Sequence, residues 1–319
     1  MVVDLTRRRL VLATGAAFVT ACAPQVDLPR AASPSSSDEL DEISRAITSG
    51  GPPPDGIPPI EQPRYVSVAD AIAQWSEAAS VDTFTIDGRP RAYPRMITVW
   101  HEIVNETSAG MPITITYCPL TGSVVVFSGR LANGATTSFG TSGMLYNSNL
   151  VMYDRATKSM WPQLLGVAVR GERKGERLAE IGGAVTTTLG RFAAAHPDGL
   201  VLSRDTGHVR AYGTWPYGDY DTSASIMFAP RVRDERFHPK KIVVGVRSAA
   251  AALAIPKDEF MKRGGEAAFT LGGRELVARH DVDLAAVRVS DRRTQEPVSA
   301  YDVMWFAWYA FNPKTDVLA

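Results

Sequence analysis

The segment "PITITYCPLTGSVVVF", residues 112–127, predicts a β-hairpin that turns directly after a cysteine. Its first half alternates β-branched and polar residues, and an apolar run follows the turn. The turn "PLTG" supplies the proline and the glycine that tight turns favour. Cys118 therefore ends the first strand of the hairpin. The chain has two cysteines, and the other, Cys22, lies near the N-terminus.

Segments on both sides of this hairpin predict further hairpins and short helices. "DTFTIDGRPRAYP" (82–94) reads as a hairpin with its turn at Asp87-Gly88, and "RMITVWHEIVNE" (95–106) has helical spacing. Other predicted helices are "VSVADAIAQW" (66–75), "TLGRFAAAHP" (188–197) and the aromatic segment 305–311. Other predicted strands are "LVMYD", "SMWPQ", "VAVRG", "ERLAEI" and "GLVLS", with "TSG" (141–143) as a loop.

Two pairs of segments resemble each other across the chain. "LGRFAAAHPDGLVL" (189–202) is similar to "WFAWYAFNPKTDVL" (305–318), and "TFTIDGRPRAYP" (83–94) is loosely similar to "VGVRSAAAALAIP" (244–256). Two eroded copies of one α+β unit would explain both, and chance similarity is the alternative. Because strands come in runs and hairpins, we expect a β-rich α+β fold of hairpins with a few packed helices.

The N-terminal segment "TRRRLVLATGAAFVTAC" (6–22) has the features of an export signal. A charged start precedes an apolar run that is too short to cross a bilayer as a helix. Small residues directly before Cys22 are typical of a lipoprotein signal, so we expect acylation of Cys22 and a membrane anchor. The arginines also resemble a twin-arginine signal, with an ordinary secretory leader as the alternative.

These features predict three regions and a location. Residues 1–22 form the signal peptide, 23–60 a tether with a short helix and a proline-rich approach, and 61–319 a single domain. We expect the mature protein on the extracytoplasmic face of a membrane in the cell envelope. The 34 basic and 34 acidic residues balance, which argues against nucleic acid as a partner.

Several motifs together resemble the DUF3179 family of bacterial proteins of unknown function. They are "GGPPPDGIPPIEQPRY", "RAYPRMITVWHEIVNE", "TYCPLTGS", "FGTSGMLYNSNLVMYDRATKSMWPQ", "LSRDTGHVRAYG" and "WFAWYAFNP". The resemblance runs from about Glu42 to the C-terminus. It implies the position of a site and not a reaction, since the family has no assigned activity. Where the family's second half often keeps a clearer copy of "RAYP", this chain has "LAIP".

Cys118 has three interpretations. In an exported protein with Cys22 acylated it has no disulfide partner within the chain, so it is a buried apolar residue, a metal ligand or a nucleophile. As a nucleophile it would use His101 as base, with Glu102, Asn105 or Asp154 as the orienting group.

A metal site would combine Cys118 with His101 and Met152, a thiolate–imidazole–thioether set that suits a copper ion. The chain lacks the histidine that blue-copper loops place shortly after their cysteine, and it lacks zinc-finger cysteine pairs. "HEIVN" (101–105) has asparagine in place of the second histidine of a zinc-protease motif, so that chemistry is rejected. His101 and Glu102 are also candidates for a general acid–base pair.

Loops downstream supply candidates for substrate binding. Ser142 lies in the glycine-containing segment "FGTSG", whose backbone N–H groups could bind an anion. The other candidates flank turns and are Tyr153, Arg155, Asp205, His208 and Arg210. For Asp154 and Arg155 a structural ion pair is the alternative.

The sequence thus predicts a membrane-anchored extracytoplasmic lipoprotein and leaves three functions open. The first is a mononuclear Cys/His site with copper for redox chemistry or metal handling. The second is a metal-independent cysteine enzyme acting on an envelope substrate. The third is a non-catalytic binding or assembly role.

Overall fold

The computed structural model describes residues 36–248 and 250–318. The export signal and Cys22 lie outside these residues. The described helices are α1 (Ser37–Arg45), α2 (Val68–Ile72), α3 (Arg95–Thr98), α4 (Leu189–Ala195), α5 (Lys257–Arg263) and α6 (Trp305–Phe311). Within the same residues, no helix is long and apolar enough to cross a membrane.

The strands of the first half are β1 (Thr48–Ser49), β2 (Tyr65–Ser67), β3 (Ser80–Ile86), β4 (Arg89–Pro94), β5 (Ile103–Ser108), β6 (Met111–Cys118), β7 (Ser123–Ser128), β8 (Phe139–Tyr146), β9 (Asn149–Asp154) and β10 (Met160–Pro162). Those of the second half are β11 (Val185–Thr188), β12 (Leu200–Leu202), β13 (Ile242–Arg247), β14 (Ala252–Pro256), β15 (Glu266–Leu271), β16 (Arg274–Asp281), β17 (Ala286–Asp291), β18 (Ala300–Met304) and β19 (Asp316–Val317).

The strands of the described residues form five small sheets. Their strand orders are β11-β3-β4-β12-β2 (sheet I), β5-β6-β7 (sheet II), β1-β8-β9-β10 (sheet III), β18-β13-β14-β19 (sheet IV) and β15-β16-β17 (sheet V). The sheets are arranged in a ring, as in a propeller. The predicted β-rich class with a few helices is confirmed.

Sheets I and IV share one order of connections. In each, a hairpin (β3–β4 or β13–β14) leads through a proline into a short helix and a three-stranded meander. The chain then returns antiparallel to the first hairpin strand, in the first half only after β8, β9 and β10 of sheet III. In each half it next forms a second helix and adds a strand parallel to the second hairpin strand. Val201 pairs with Ala92 in sheet I as Val317 pairs with Ala254 in sheet IV. A common origin of the two halves stays a prediction.

Turn chemistry explains the predicted hairpins. Asp87 and Gly88 have φ angles of 50° and 72°, the left-handed pair that a two-residue hairpin turn requires. In the Cys118 hairpin, Cys118 pairs with Ser123, and the Thr121 N–H donates to the Cys118 carbonyl at 3.2 Å. Gly122 follows with φ 61°. The turn fixes the cysteine between sheets II, III and IV, within the largest apolar cluster.

Some predicted elements differ from the structure. The helix predicted over 95–106 ends at Thr98, and His101 and Glu102 lie in the turn before β5. "TSG" is not a loop, since it lies inside β8 at a β-bulge between Thr141 and Met144. "VAVRG" and "ERLAEI" contribute only isolated bridges. The helices predicted over 305–311 and within 23–60 are present as α6, which is buried in the core, and α1, which Ser36 caps.

The segment 37–60 packs on the body of the fold. Leu40 and Ile43 of α1 are buried with Tyr146 and Val151, and β1 pairs with β8. Ile60 is fully buried and pairs with Val104. The short helix and the proline-rich approach are therefore folded parts of the structure.

Residues 203–241, between β12 and β13, form a long connection without helix or strand. Loops of this length in a compact domain are commonly functional. Tyr220 lies buried against the Cys118 hairpin and donates to the Leu120 carbonyl at 3.0 Å. The carbonyl of Phe228 accepts a hydrogen bond from Ser148. We call this segment the covering loop, because it lies over the residues around Cys118.

Candidate functional site

Glu102 occupies a backbone position that rarely holds a side chain. It closes the turn after α3, where its N–H donates to the Thr98 carbonyl at 2.7 Å. Its φ of 57° lies in the left-handed region, where helices usually end with glycine. The Glu102 carbonyl accepts from the Tyr117 N–H at 2.7 Å, which places the turn beside the end of β6.

The Glu102 side chain is a buried acid. The residue is 8% exposed, and its carboxyl has no hydrogen-bond partner among the described residues. Burial raises its pKa to about 8, so the carboxyl holds its proton at pH 7. Its charge, once formed, acts on Cys118 and Tyr217, whose pKa values it helps to raise after the larger effect of burial.

Cys118 is the second member of this group. Its Sγ accepts from the Leu150 N–H at 3.4 Å and lies 3.8 Å from the Ser148 carbonyl. Burial, followed by the nearby Glu102 carboxyl, raises the thiol pKa to about 11. A thiol is nucleophilic and binds metals as its thiolate, so this environment favours the neutral form.

This thiol should resist alkylation while the protein is folded. With a pKa of about 11, about one thiol in a thousand is ionised at pH 8. We expect iodoacetamide to modify Cys118 slowly in native buffer and rapidly in denaturant, measured on the Cys118 peptide by mass spectrometry. Fast native labelling would show that the thiol is exposed and activated.

The covering loop supplies the other side of the site. Tyr217 is half-buried and close to Glu102 and Cys118, and burial is the main reason that its pKa is raised. The ring of Tyr220 contacts Lys240, whose Nζ lies 3.1 Å from the ring centre. Lys240 also donates to the Tyr220 carbonyl. Lys240 is 5% exposed, and burial lowers its pKa to about 8.

His101 belongs to a separate group. Its Nδ1 lies 2.7 Å from the Pro58 carbonyl and its Nε2 2.5 Å from the Tyr212 hydroxyl. Its ring centre lies 5.5 Å from that of His208, and burial lowers its pKa to about 4. Arg210 lies close enough to favour the neutral ring further. The predicted His101, His208 and Arg210 are thus brought together, with Tyr212 as an added partner.

The predicted copper donors Cys118, His101 and Met152 each have other contacts. Both ring nitrogens of His101 have hydrogen-bond partners, and the Cys118 sulfur contacts the backbone of residues 148 and 150. Met152 is fully buried in the same apolar cluster as Cys118. Across residues 36–248 and 250–318, no three or more His, Cys, Asp or Glu side chains are grouped as metal ligands would be.

Asp154 is fully buried and stabilises its own turn. Its carboxylate accepts from the N–H groups of Thr157 (2.6 Å) and Ser159 (3.1 Å), from the Thr157 hydroxyl, and from the Trp161 indole at 3.1 Å. Its bonds are thus to its own hairpin, and Arg155 pairs elsewhere. The ion pair between Asp154 and Arg155, the structural alternative, is not formed, because Arg155 pairs with Asp55 and Glu61. Asp154 stabilises its hairpin through hydrogen bonds instead.

The Ser142 hydroxyl has partners within the protein, and the space beside Gly143 is filled by the proline-rich segment. The Ser142 hydroxyl donates to the Val151 carbonyl and accepts from the Met144 N–H at 3.0 Å. Gly143 has φ 72°, and a Cβ there would lie 1.8 Å from the Pro52 carbonyl oxygen. The glycine therefore permits the proline-rich segment to pack on β8.

Tyr153, Arg155 and Asp205 lie in ion-pair groups that do not include Cys118. Arg155 pairs with Asp55 and, at 2.7 Å, with Glu61, and the Tyr153 hydroxyl donates to Asp55 at 2.5 Å. Asp205 pairs with Arg64 at the surface, where both side chains are more than half exposed.

Sequence reasoning missed Tyr212, Tyr217, Tyr220 and Lys240. The first three stand in "AYGTWPYGDYD" (211–221), where repeated aromatic residues in a long polar loop are a usable signal. Lys240 carries no such signal, since it is one of two adjacent lysines and only the fold buries it.

Comparisons with known proteins support the family and add no activity. No curated protein and no solved structure matches the chain significantly. Residues 54–315 match the family described as "Protein of unknown function (DUF3179)". The match spans both halves of the fold, including Glu102, Cys118 and the covering loop, and the chain belongs to this family.

Proposed function

We propose that the protein is a lipid-anchored extracytoplasmic enzyme that uses Glu102 as a general acid. The export and lipidation features of residues 6–22 support the location and the anchor at Cys22. The observation that carries the chemistry is the buried Glu102 carboxyl, which has no hydrogen-bond partner among the described residues and whose pKa burial raises to about 8.

Glu102 combines two features that lower the stability of the fold. Its left-handed backbone disfavours any residue with a Cβ, and its buried acid lacks a hydrogen-bond partner in the described structure. Glycine would avoid both. Such costs concentrate at functional sites, and a carboxyl with a raised pKa is a common form of catalytic acid.

The covering loop lies beside Glu102 and would shield a proton transfer from solvent. Tyr217 of the covering loop lies close to Glu102. Lys240 of the same loop contacts Tyr220, and burial lowers its pKa to about 8. A substrate between the loop and the Cys118 hairpin would receive its proton from Glu102 in an enclosed site. We infer a polar envelope molecule whose leaving oxygen or nitrogen takes up this proton.

This chemistry agrees better with the geometry than the alternatives predicted from the sequence. A cysteine nucleophile requires a thiolate and a nearby base. The pKa of Cys118 is raised, and the ring nitrogens of His101 are hydrogen-bonded to the Pro58 carbonyl and the Tyr212 hydroxyl. A copper site requires donors that converge, and Cys118 and His101 contact different groups.

The test is conversion of envelope extract from the native host, followed by untargeted mass spectrometry. We expect the wild-type chain to consume at least one compound and Glu102→Gln to lower that rate by about 10² to 10⁴. Fractionation of cells with Cys22→Ala tests the anchor, since this chain should leave the membrane fraction.

Glu259→Gln is the matched control. Glu259 is an exposed glutamate that pairs with Lys241, and its loss should leave conversion unchanged. Full conversion by Glu102→Gln would refute the acid role. Binding of a compound without its conversion by the wild-type chain would instead indicate a binding lipoprotein.

A further inference from the structure

The part of the covering loop that reaches Glu102 is residues 207–218, which we call the lid segment. None of its residues is fully buried, and Val209 is 95% exposed. Thr206 on one side and Tyr220 on the other are buried in the body of the protein. Because segments with few buried side chains open at a low cost in free energy, the lid segment can move while the sheets stay folded.

Glycines stand at both ends of the lid segment. Gly207 and Gly218 have φ angles of 79° and 58°, in the left-handed region that favours glycine. A Cβ at either position would contact nothing within 4 Å, so the backbone conformation, and not a lack of space, is the reason for glycine. Such residues can take up the changes in φ and ψ that a hinge requires.

A single hydrogen bond joins the lid segment to described residues outside the covering loop. It links the Tyr212 hydroxyl to Nε2 of His101, at 2.5 Å. The other hydrogen bonds of the segment stay within the covering loop, where Arg204 donates to the Tyr212 carbonyl at 3.2 Å and Thr206 contacts the Tyr212 hydroxyl at 2.6 Å. Loss of the bond to His101 would therefore leave the segment without a hydrogen bond to the sheets.

The direction of this hydrogen bond follows from its neighbours. The Pro58 carbonyl, 2.7 Å from Nδ1 of His101, can only accept, so Nδ1 carries the proton of the neutral ring. Nε2 is then an acceptor, and the Tyr212 hydroxyl donates to it. The Tyr212 oxygen in turn accepts from the Thr206 hydroxyl. Removing the Tyr212 hydroxyl would leave Nε2 of a fully buried ring without a partner, which costs more than losing a hydrogen bond at the surface.

The same bond sets the position of Tyr217. This tyrosine lies in the lid segment, packs on the apolar cluster that contains Cys118 and is close to Glu102. His101 directly precedes Glu102 in the turn before β5. The bond between Tyr212 and His101 therefore holds Tyr217 beside the acid and the thiol.

We propose that the lid segment opens and closes over the Glu102 site, and that the hydrogen bond between Tyr212 and His101 is its latch. Tyr212 and His101 are then positioning residues for this site. That the open lid admits a substrate rests on the acid role proposed for Glu102, whereas the latch itself does not.

Iodoacetamide labelling of Cys118 in the full chain tests the latch, with Tyr212→Phe as the variant. Phenylalanine keeps the ring, whose centre lies 5.7 Å from that of His101, and removes the hydroxyl. We expect native labelling about ten-fold faster than in the wild type at pH 8, because loss of the bond shifts the equilibrium toward the open lid. The rate should stay constant up to about 1 M urea, since opening of the lid exposes little surface.

Tyr309→Phe is the matched control. Tyr309 of α6 is half-buried and contacts Arg236 of the covering loop, and its hydroxyl has no hydrogen bond within the described residues. This variant should be labelled at the wild-type rate. Labelling of Tyr212→Phe at the wild-type rate would overturn the latch, as would an acceleration that Tyr309→Phe shares or a labelling rate that rises with urea. These outcomes do not depend on conversion of any compound, so failure of the latch and failure of the Glu102 acid role are separate results.

Discussion

Replacement of Glu102 by glutamine is expected to remove a pH dependence of stability that the wild-type chain carries between about pH 4.5 and 8. The carboxyl has a pKa of about 8 in the folded chain, against 4.5 as its ordinary value. Within this window the folded state binds a proton that the unfolded state has lost. Stability therefore falls as pH rises, by about 1.4 kcal/mol per pH unit for one group.

Below pH 4.5 both states are protonated, and above pH 8 both are ionised, so the effect is confined to the window. Summed across it, the loss is about 5 kcal/mol, a large share of the stability of an ordinary domain. Glutamine keeps the shape of the protonated acid and cannot ionise. The variant should match the wild type near pH 5, apart from a constant offset, and exceed it increasingly up to pH 8.

Urea unfolding at each pH unit from 5 to 9 measures this difference. Glu259→Gln is the control, because the pKa shift of Glu259 has the opposite sign to that of Glu102. The hydrogen bond from Lys241 lowers the pKa of the exposed Glu259 carboxyl. Its unfolding curves should show no gain at high pH. If Glu102→Gln and the wild type run parallel from pH 5 to 8, Glu102 is not a buried protonated acid.

The same residue shows why the site was harder to predict than the fold. Local rules were sufficient for the β3–β4 hairpin, because Asp87-Gly88 selects its turn directly. They failed over 95–106, where the spacing of Ile97, Trp100 and Val104 imitates a helix. Pairing of β5 with β6 overrides that spacing from Ile103 onward, a tertiary effect.

The chemistry of the site depends on contacts that are distant in the chain. The His101 ring is hydrogen-bonded to the Tyr212 hydroxyl. Tyr220 of the covering loop donates to the Leu120 carbonyl in the hairpin of Cys118. Burial, which sets the pKa values of Glu102 and Lys240, follows from these contacts. Sequence patterns directed attention to the Cys118 hairpin and to Glu102 beside it. They did not show that burial raises the pKa of both the Glu102 carboxyl and the Cys118 thiol.

The turn that holds Glu102 begins at Arg95, whose ion pair with Asp82 joins α3 to sheet I. Arg95 donates from Nε and Nη2 to the Asp82 carboxylate at 2.8 to 3.1 Å and from Nη2 to the Thr186 hydroxyl at 2.8 Å. Its guanidinium lies over the ring of Tyr117, the neighbour of Cys118. Lys257 has the equivalent place in the other half, where it pairs with Asp302 and donates to the Thr186 carbonyl at 3.0 Å.

Asp82→Ala is therefore expected to lower the free energy of unfolding by about 3 to 5 kcal/mol, because it leaves a buried guanidinium without its carboxylate. Combining Asp82→Leu with Arg95→Met should recover most of this loss, since both charges of this pair are then removed. Asp205→Ala, which breaks the exposed pair with Arg64, should change stability by about 1 kcal/mol or less. Urea unfolding at pH 7 compares the free energies of unfolding of these three variants with that of the wild-type chain. A cost for Asp82→Ala as small as that for Asp205→Ala would mean that the Arg95 pair does not support the turn of Glu102.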